Sequence, residues 1–157
     1  MQFTDGSFYH IYNRGNDKRT IFFEERNYDF FLQKVKKYIA AHSNLLAWSL
    51  MPNHFHFLIE ATERSIEPIR SGGIAMPAIT NGFRLLQSSY AKGINKQESR
   101  NGNLFQQKTK AKLINGGEDD LFTVFYYIHH NAIKAGLSIT PEGWEYSSFK
   151  DYIGIRN

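Results

Sequence analysis

The chain has 157 residues, a length typical of one domain with a packed core, and hydrophobic residues make up 41% of it. It contains no cysteine, which excludes a disulfide framework and a thiolate zinc site. No pattern typical of a signal peptide is visible, and no apolar run approaches the roughly 20 residues of a membrane span. We therefore expect a single cytoplasmic domain over 1–157 with no membrane partner.

Positive charge is concentrated in one segment of the chain. The formal net charge of the whole is +4, whereas segment 84–112 contains seven Lys or Arg residues and one Glu, a net charge of +6. Aromatic residues are interleaved with these cations. Such a pattern is typical of nucleic-acid binding, and an ordinary solvated face is the alternative.

The first half of the chain predicts strands and one helix. Short runs rich in β-branched and aromatic residues predict strands, and one longer segment places apolar residues at helical spacing. A Pro-Asn pair between two of the runs predicts a tight turn. In chain order the predicted elements are a strand over 7–13, a turn over 14–17, an amphipathic helix over 26–42, and strands over 44–51 and 54–60.

The second half predicts a loop, two helices and one further strand. Flanking prolines and a Gly72-Gly73 pair predict an irregular loop over 61–77. The last helix has acidic residues at its start and Gly136 at its end, as helix termini favour. The aromatic tail 144–154 is expected to pack against the domain. The remaining predicted elements are a helix over 79–95, a turn over 97–103, a strand over 108–114 and the last helix over 119–135.

The order of these elements is β-α-β-β-α-β, followed by one more helix. The first six match a ferredoxin-like α+β fold, in which an antiparallel sheet carries helices on one face. The expected fold class is therefore α+β, with a C-terminal helix added after the last strand.

Two histidines lie one residue apart in the third predicted strand. Residues i and i+2 point to the same face of a strand, so His54 and His56 project together, while Phe55, Phe57 and Ile59 point into the core. Two neighbouring imidazoles are costly to bury unless they are hydrogen-bonded or bound to a cation. The pair can supply two ligands to one metal ion, and a solvent-facing pair with no role is the alternative.

The last predicted helix offers further candidates. Residues four apart share a helix face, so Tyr127 and Asn131 lie one turn apart on it. If this face meets the histidines, Asn131 can complete a metal site and Tyr127 can present its hydroxyl beside it. The alternatives are His129 or His130 as the ligand, Tyr90 or Tyr126 as the nucleophile, and a purely structural tyrosine at 127.

A tyrosine beside a metal ion suits phosphodiester cleavage. A phenol has a pKa near roughly 10 and is a poor nucleophile at neutral pH. It can nevertheless attack a phosphodiester that a divalent ion has polarised. The products would be a 5′-phosphotyrosine link and a free 3′-OH, and the strand could be rejoined without ATP because the link conserves the phosphodiester energy.

Several motifs together resemble a known protein family. The two most specific are 51-MPNHFHFLIE-60 and YIHHNAIKAGL at 127–137. They resemble motifs of the single-tyrosine HUH transposases, and more closely those of the REP-associated transposase-like branch. Together with the segments below, they cover nearly the whole chain and follow one another in the family's order. The further matching segments are 9-YHIYNRG-15, 89-SYAKGINK-96, 104-LFQQKTKAKLI-114 and 146-YSSFKDYIG-154.

The resemblance implies a ferredoxin-like fold that cuts and rejoins single-stranded DNA, often beside hairpins. Position by position, His54 and His56 match the metal-binding pair, Asn131 matches the third ligand and Tyr127 matches the nucleophile. Tyr90 matches a tyrosine that is not the nucleophile. The expected ion is Mg²⁺, with Mn²⁺ able to replace it. The candidate DNA contacts are Arg14, Lys108, Lys110 and Lys112.

The sequence departs from the family's pattern at two places. Ala132 stands where the family usually has Pro, so the helix is expected to run on rather than bend. Gln107-Lys108 stands where Gly-Arg is common, which shifts the expected phosphate contact to Lys108. The family includes both monomers and homodimers, in some of which the tyrosine helix serves the partner's site, and both states are compatible with this sequence.

Two other functions are compatible with the same residues. A catalytically inactive relative would be a single-stranded nucleic-acid-binding module, because the sheet of a ferredoxin-like fold can bind single strands without cutting them. A structural metal site in an unrelated small domain would leave the basic segment unexplained. Covalent capture of a labelled single strand with Mg²⁺ or Mn²⁺ separates the enzyme from both.

Overall fold

Strands and amphipathic helices follow one another along residues 2–156, the part of the chain that the computed structural model describes. Short 3-10 turns occur at Asn16–Lys18 and Pro141–Gly143. In chain order the elements are β1 (Phe8–Arg14), α1 (Glu25–Tyr38), β2 (Ser43–Met51), β3 (His54–Ala61), α2 (Glu63–Ile66), β4 (Pro68–Ser71), β5 (Ile74–Pro77), α3 (Ala78–Gln97), β6 (Lys110–Leu113), α4 (Gly117–Lys134) and α5 (Phe149–Tyr152).

Four of the strands form one antiparallel sheet in the order β2-β3-β1-β6. The two central strands are β1 and β3, and β2 and β6 lie at the edges. Together with α1 and α3 as the two connecting helices, this order is that of a ferredoxin-like βαββαβ fold. The predicted α+β fold class is confirmed.

The sheet is covered on both faces. Its larger core lies against α1 and α3, where Phe31 and Tyr90 of the helices meet Phe55 and Phe57 of β3. A smaller cluster on the opposite face includes Ala47, Leu58 and Ile128 and holds α4 against β2 and β3. The strand alternation therefore sends successive residues of β3 into two different environments.

The prediction of an irregular loop over 61–77 is wrong. The segment contains α2, whose first turn is closed by a capping box between Thr62 and Ser65, followed by the β4–β5 hairpin. Gly72 and Gly73 form the two-residue hairpin turn, with φ of 58° and 81°. A turn with two positive φ angles favours Gly-Gly, so the glycines mark a hairpin here and not a loop.

Two predicted elements are shorter in the structure. The helix predicted over 26–42 ends at Tyr38, because the chain turns there and the Ser43 hydroxyl donates to the carbonyl of Ile39. The strand predicted over 108–114 begins only at Lys110, which leaves Lys108 before it. In the segment before β6, the carbonyl of Gln106 accepts a hydrogen bond from the Asn13 side chain.

The end of α4 and the tail agree with the prediction. Gly136 has a φ of 70°, and the amide of Leu137 bonds to the carbonyl of Ala132, the bond expected of a glycine-terminated helix. The helix runs through Ala132 without a break. The tail covers the edge strand β2, where the Trp144 indole donates to Leu50 O. No helix within residues 2–156 has the length and apolar character needed to cross a bilayer.

Candidate active site

The register of the sheet gathers histidines, a tyrosine and basic residues on the face that α4 covers. Residues directly opposite each other on neighbouring antiparallel strands share a face of the sheet. Because β1 lies between β3 and β6, its side chains join those of both neighbours. The pairs on this face are Arg14–His54, Tyr12–His56, Tyr12–Lys110 and His10–Lys112.

The imidazole of His54 is fixed in one tautomer. Its Nδ1 lies 2.5 Å from Oδ1 of Asn53, and Nδ2 of Asn53 in turn donates to the carbonyl of Lys18 at 3.3 Å. The second bond sets the orientation of the amide, so Oδ1 is the atom that faces the histidine. Since a carbonyl oxygen only accepts, Nδ1 of His54 carries the proton, which leaves the Nε2 lone pair free to bind a metal ion.

His56 is held by a third histidine. Its Nδ1 lies 2.8 Å from Nε2 of His10, and the two rings are stacked with centroids 5.1 Å apart. Both residues are buried, at 6% and 8% exposure. The ring of Tyr12 also stacks on that of His56, with centroids 5.6 Å apart. His56 is thereby oriented through Nδ1, and its Nε2 makes no hydrogen bond within residues 2–156.

Tyr127 lies beside these histidines. Its ring stands edge-on to those of His56 and His10, with centroid distances of 5.7 Å and 5.8 Å. Its side of α4 therefore meets the histidine-bearing face, a condition that the sequence had left open. Tyr127 remains 37% exposed, and the Lys134 ammonium lies 5.0 Å from its ring centroid.

Asn131 lies one turn further along α4 and is buried. Its Nδ2 has no hydrogen-bond partner within residues 2–156, which is unusual for a buried amide. No group of three or more His, Cys, Asp or Glu residues in the same part of the chain is arranged to hold a metal ion. The three imidazoles therefore do not form a three-histidine site, and Asn131 as the third ligand stays a prediction.

The rival residues are engaged elsewhere. His129 is buried, with Nε2 2.8 Å from the Ser148 hydroxyl. The ring of His130 stacks on that of Tyr126, and its Nδ1 donates to the Tyr126 carbonyl. Tyr90 is fully buried among the helices of the larger core, its hydroxyl donates to the carbonyl of Ile21, and burial raises its pKa.

A cleft of about 350 Å³ opens in front of His54 and His56. Three of the four predicted DNA contacts line it. The fourth, Lys112, does not, and it pairs with His10 on the neighbouring strand. No Asp or Glu is among the cleft's lining residues in the described part of the chain. The cations that line the cleft are Arg14, Lys18, Lys108 and Lys110.

The environment keeps the histidines neutral. Burial, and then the charge of Lys112, lowers the pKa of His10 to about 4. Burial and the neighbouring histidines lower the pKa of His56 to about 3, and burial followed by the charge of Arg14 lowers the pKa of His54. Neutral imidazoles are the form that binds a metal ion, and the same positive surroundings favour an anionic ligand.

Sequence reasoning missed His10, Tyr12, Asn53 and Lys18. A signal for the first two was present, because His10, Tyr12 and Arg14 lie at alternate positions along β1. This alternation marks them as one face, but only the pairing of β1 with β3 shows that it is the face of the histidine pair. Nothing local in the sequence indicated that Asn53 orients His54.

The comparisons with known proteins concern the fold. No family model and no curated protein matches the chain. Eight chains of solved structures match it. One of them is a REP-associated tyrosine transposase bound to a REP hairpin, similar over 100% of this chain and 86% of that chain, with a TM-score of 0.73 and 15% sequence identity. The similarity shows a shared fold, that of the branch which the motifs resembled.

Proposed function

We propose that the protein is a metal-dependent single-stranded DNA endonuclease and strand transferase that acts through a 5′-phosphotyrosine intermediate. The observation that carries the proposal is the position of Tyr127, edge-on at 5.7 Å to His56, which itself lines a cleft together with four cations. A nucleophile, two neutral imidazoles that can bind a metal ion and a phosphate-attracting surface together suit phosphodiester cleavage.

The residues present fit a divalent metal ion. His54 and His56 each engage Nδ1 in a hydrogen bond and leave Nε2 available. The Asn131 amide is buried with an unpaired nitrogen, and a flip of the amide, which exchanges its nitrogen and oxygen, would offer the oxygen at that position. We propose that these three side chains hold Mg²⁺ or Mn²⁺, both of which accept mixed nitrogen and oxygen ligands. When bound, the ion supplies a Lewis acid for the scissile phosphate.

Tyr127 carries the covalent step. Its phenolic oxygen attacks the phosphorus, the bond from phosphorus to the 3′ oxygen breaks, the phenol proton passes to water, and the departing 3′ oxygen takes up a proton. In rejoining, a 3′-OH attacks the phosphotyrosine, loses its proton and releases the tyrosine. Lys134, 5.0 Å from the Tyr127 ring centroid, places positive charge where the phenol develops negative charge.

The basic residues and His10 support this chemistry. Arg14, Lys108 and Lys110 line the cleft and would bind the phosphates that flank the cleavage site. Lys112, across from His10, would contact the strand outside the cleft. Because the similar transposase is bound to a hairpin, we propose that this chain also acts on a single strand next to a hairpin.

The test is covalent capture. With a labelled single strand and Mg²⁺ or Mn²⁺, we expect an adduct that survives denaturation and that mass spectrometry locates on Tyr127. Tyr127→Phe should bind DNA but form no adduct, whereas Tyr126→Phe, the matched change on the adjacent exposed ring, should form it. An adduct on Tyr90, or a full adduct with Tyr127→Phe, would overturn the assignment.

Two further outcomes of the same experiment are informative. Tight binding with no adduct under either metal would indicate the single-stranded nucleic-acid-binding module instead of the enzyme. Since Tyr127 lies beside His56 of the same chain, we also propose that one chain completes its own site. Mixing Tyr127→Phe with His56→Ala should then restore no cleavage, and restored cleavage would show a homodimer with shared sites.

A further inference from the structure

A second cleft, of about 780 Å³, lies between α3 and the 102–109 segment. It adjoins the cleft of the candidate active site, because Gln106 and Lys108 line both. A polymer that leaves the histidine cleft across these two residues would therefore enter the second cleft directly. The second cleft has more than twice the volume of the first.

The boundary between the two clefts is a hydrogen-bonded network. Asn13 lines the first cleft and Gln87 the second, and Nδ2 of Asn13 donates to Oε1 of Gln87 at 2.6 Å. Nδ2 of Asn13 and Nε2 of Gln87 both also approach the Thr109 hydroxyl, at 3.2 Å and 2.5 Å. The network ties β1, α3 and the segment before β6 together, so the relative position of the two clefts is fixed.

The charge of the second cleft suits a polyanion. No Asp or Glu is among its lining residues in the described part of the chain, and its cations are Arg84 and Lys108. The Arg84 guanidinium is anchored by Ser71 Oγ at 2.7 Å and by Asn81 Oδ1 at 2.7 Å. Both partners are neutral, so the positive charge of Arg84 is held in place without being cancelled.

The other lining residues suit unpaired bases. Asn103 and Gln107 are exposed and present amides, which both donate and accept hydrogen bonds. Met76 and Ala91 add partly exposed apolar surface. Single-stranded bases offer their hydrogen-bonding edges and flat faces to such groups, whereas a duplex hides both within its stack.

We propose that this second cleft binds the single-stranded DNA that flanks the cleavage site, as a continuation of the active-site cleft. The inference rests on the proposed function for the identity of the polymer. It adds a subsite outside the chemistry, in which Arg84 binds a phosphate and the 103–107 amides contact bases.

The test compares oligonucleotides of two lengths. A short one spans only the cleavage site, and the longer ones are extended on the 5′ or the 3′ side. For the wild type we expect one of the two extensions to raise affinity. Ser88 also lines the second cleft. Arg84→Gln and Ser88→Glu should each reduce that gain on the order of tenfold and lower the salt dependence of binding by about one phosphate contact, while binding and cleavage of the short oligonucleotide stay unchanged.

Matched controls make the result specific. Arg64 is exposed on α2 and lines neither cleft, so Arg64→Gln should leave the gain from the extension intact. An equal loss for short and long oligonucleotides in the Arg84 and Ser88 variants would overturn the proposal, as would no loss for either. A gain that requires the extension to be duplex would also overturn it. Length-dependent binding by a protein that forms no adduct would support the subsite and reject the nuclease.

Discussion

The two faces of the sheet are made from alternate residues of the same strands, yet they differ in kind. On the face covered by α1 and α3, Phe55 and Phe57 are fully buried in a cluster of rings. On the face covered by α4, His54 and His56 meet polar and basic side chains beside an open cleft. The first face stabilises the fold through burial of apolar side chains. The second contributes less stability, because it buries polar, reactive side chains.

The difference shows in how the buried polar groups are satisfied. In the larger core the Tyr90 hydroxyl bonds to a main-chain carbonyl, and no imidazole is present among that cluster's residues. On the other face the histidines orient one another, and burial lowers the pKa of His10 and His56 well below the usual value for histidine. Strongly shifted pKa values of this kind are typical of functional sites.

Substitutions at two adjacent residues of β3 should show the largest difference between the two faces, one in stability and the other in cleavage. Phe57→Ala should lower the free energy of unfolding by about 3–5 kcal/mol, because it opens a cavity in the core. His56→Ala should reduce metal-dependent cleavage by at least about 10³-fold, because under the proposed function it removes one of the ligands of the metal ion. Urea unfolding and single-turnover cleavage, measured on both variants, check the pair.

DNA binding is the control for the loss of cleavage expected of His56→Ala. His56→Ala should bind the uncleaved strand nearly as well as the wild type, since the cleft's cations are untouched. If the variant lost binding and cleavage in equal measure, His56 would be a structural residue and the division between the two faces would not hold.

His10 tests the division further, because it contacts His56 and Tyr127 but is not itself among the residues that line the cleft. His10→Ala should weaken Mn²⁺ binding by about 10–100-fold, as loss of the partner of a metal ligand does. His10→Gln keeps an acceptor for Nδ1 of His56 and should recover part of that affinity. Calorimetry or electron paramagnetic resonance with Mn²⁺ measures this without cleavage, and unchanged affinity in both variants would show that His10 only packs.

Acid should weaken the histidine face selectively. Unfolding restores the pKa of His10 and His56 from about 4 and about 3 to about 6.5, so the unfolded chain binds more protons between these values. Without metal, stability should be constant above about pH 7 and fall below about pH 6.5, by about 1.4 kcal/mol per pH unit for each of the two imidazoles. Urea unfolding across pH, with a chelator present, measures the slope.

A double variant provides the reference for the acid experiment. His10→Asn with His56→Asn should flatten the slope but not abolish it, because the pKa of buried His129 is also lowered, to about 4. Phe57→Ala should shift the whole curve downward without changing its slope. An unchanged slope in the double variant would contradict the assigned burial of the imidazoles.

The smallest expected effect is at the basic rim. Lys110→Gln should weaken binding of single-stranded DNA a few-fold, on the order of one phosphate contact, and reduce the salt slope by about 1. Lys36→Gln, an exposed change on α1 that lines neither cleft, should do neither. Salt titrations of affinity for both variants test this, and equal slopes would remove Lys110 from the DNA path.

Periodicity was sufficient for most of the fold. The strand alternation around His54 and the helical spacing of the segment with Phe31 indicated elements that the structure contains, and the order of elements led to the ferredoxin-like sheet. The prediction of an irregular loop over 61–77 was wrong because glycines and prolines occur in hairpin turns as well as in loops. The distinguishing signal was local, because a Gly-Gly pair between two short runs is typical of a two-residue hairpin turn.

The candidate site divides in the same way. The fixed periods of strand and helix were sufficient to predict that His54 and His56 share a strand face and that Tyr127 and Asn131 share a helix face. The folded chain was needed to show that Tyr127 and the histidines meet, that His10 holds His56, and that Asn53 fixes the tautomer of His54. Those contacts depend on strand register and helix packing between distant segments, which no local period specifies.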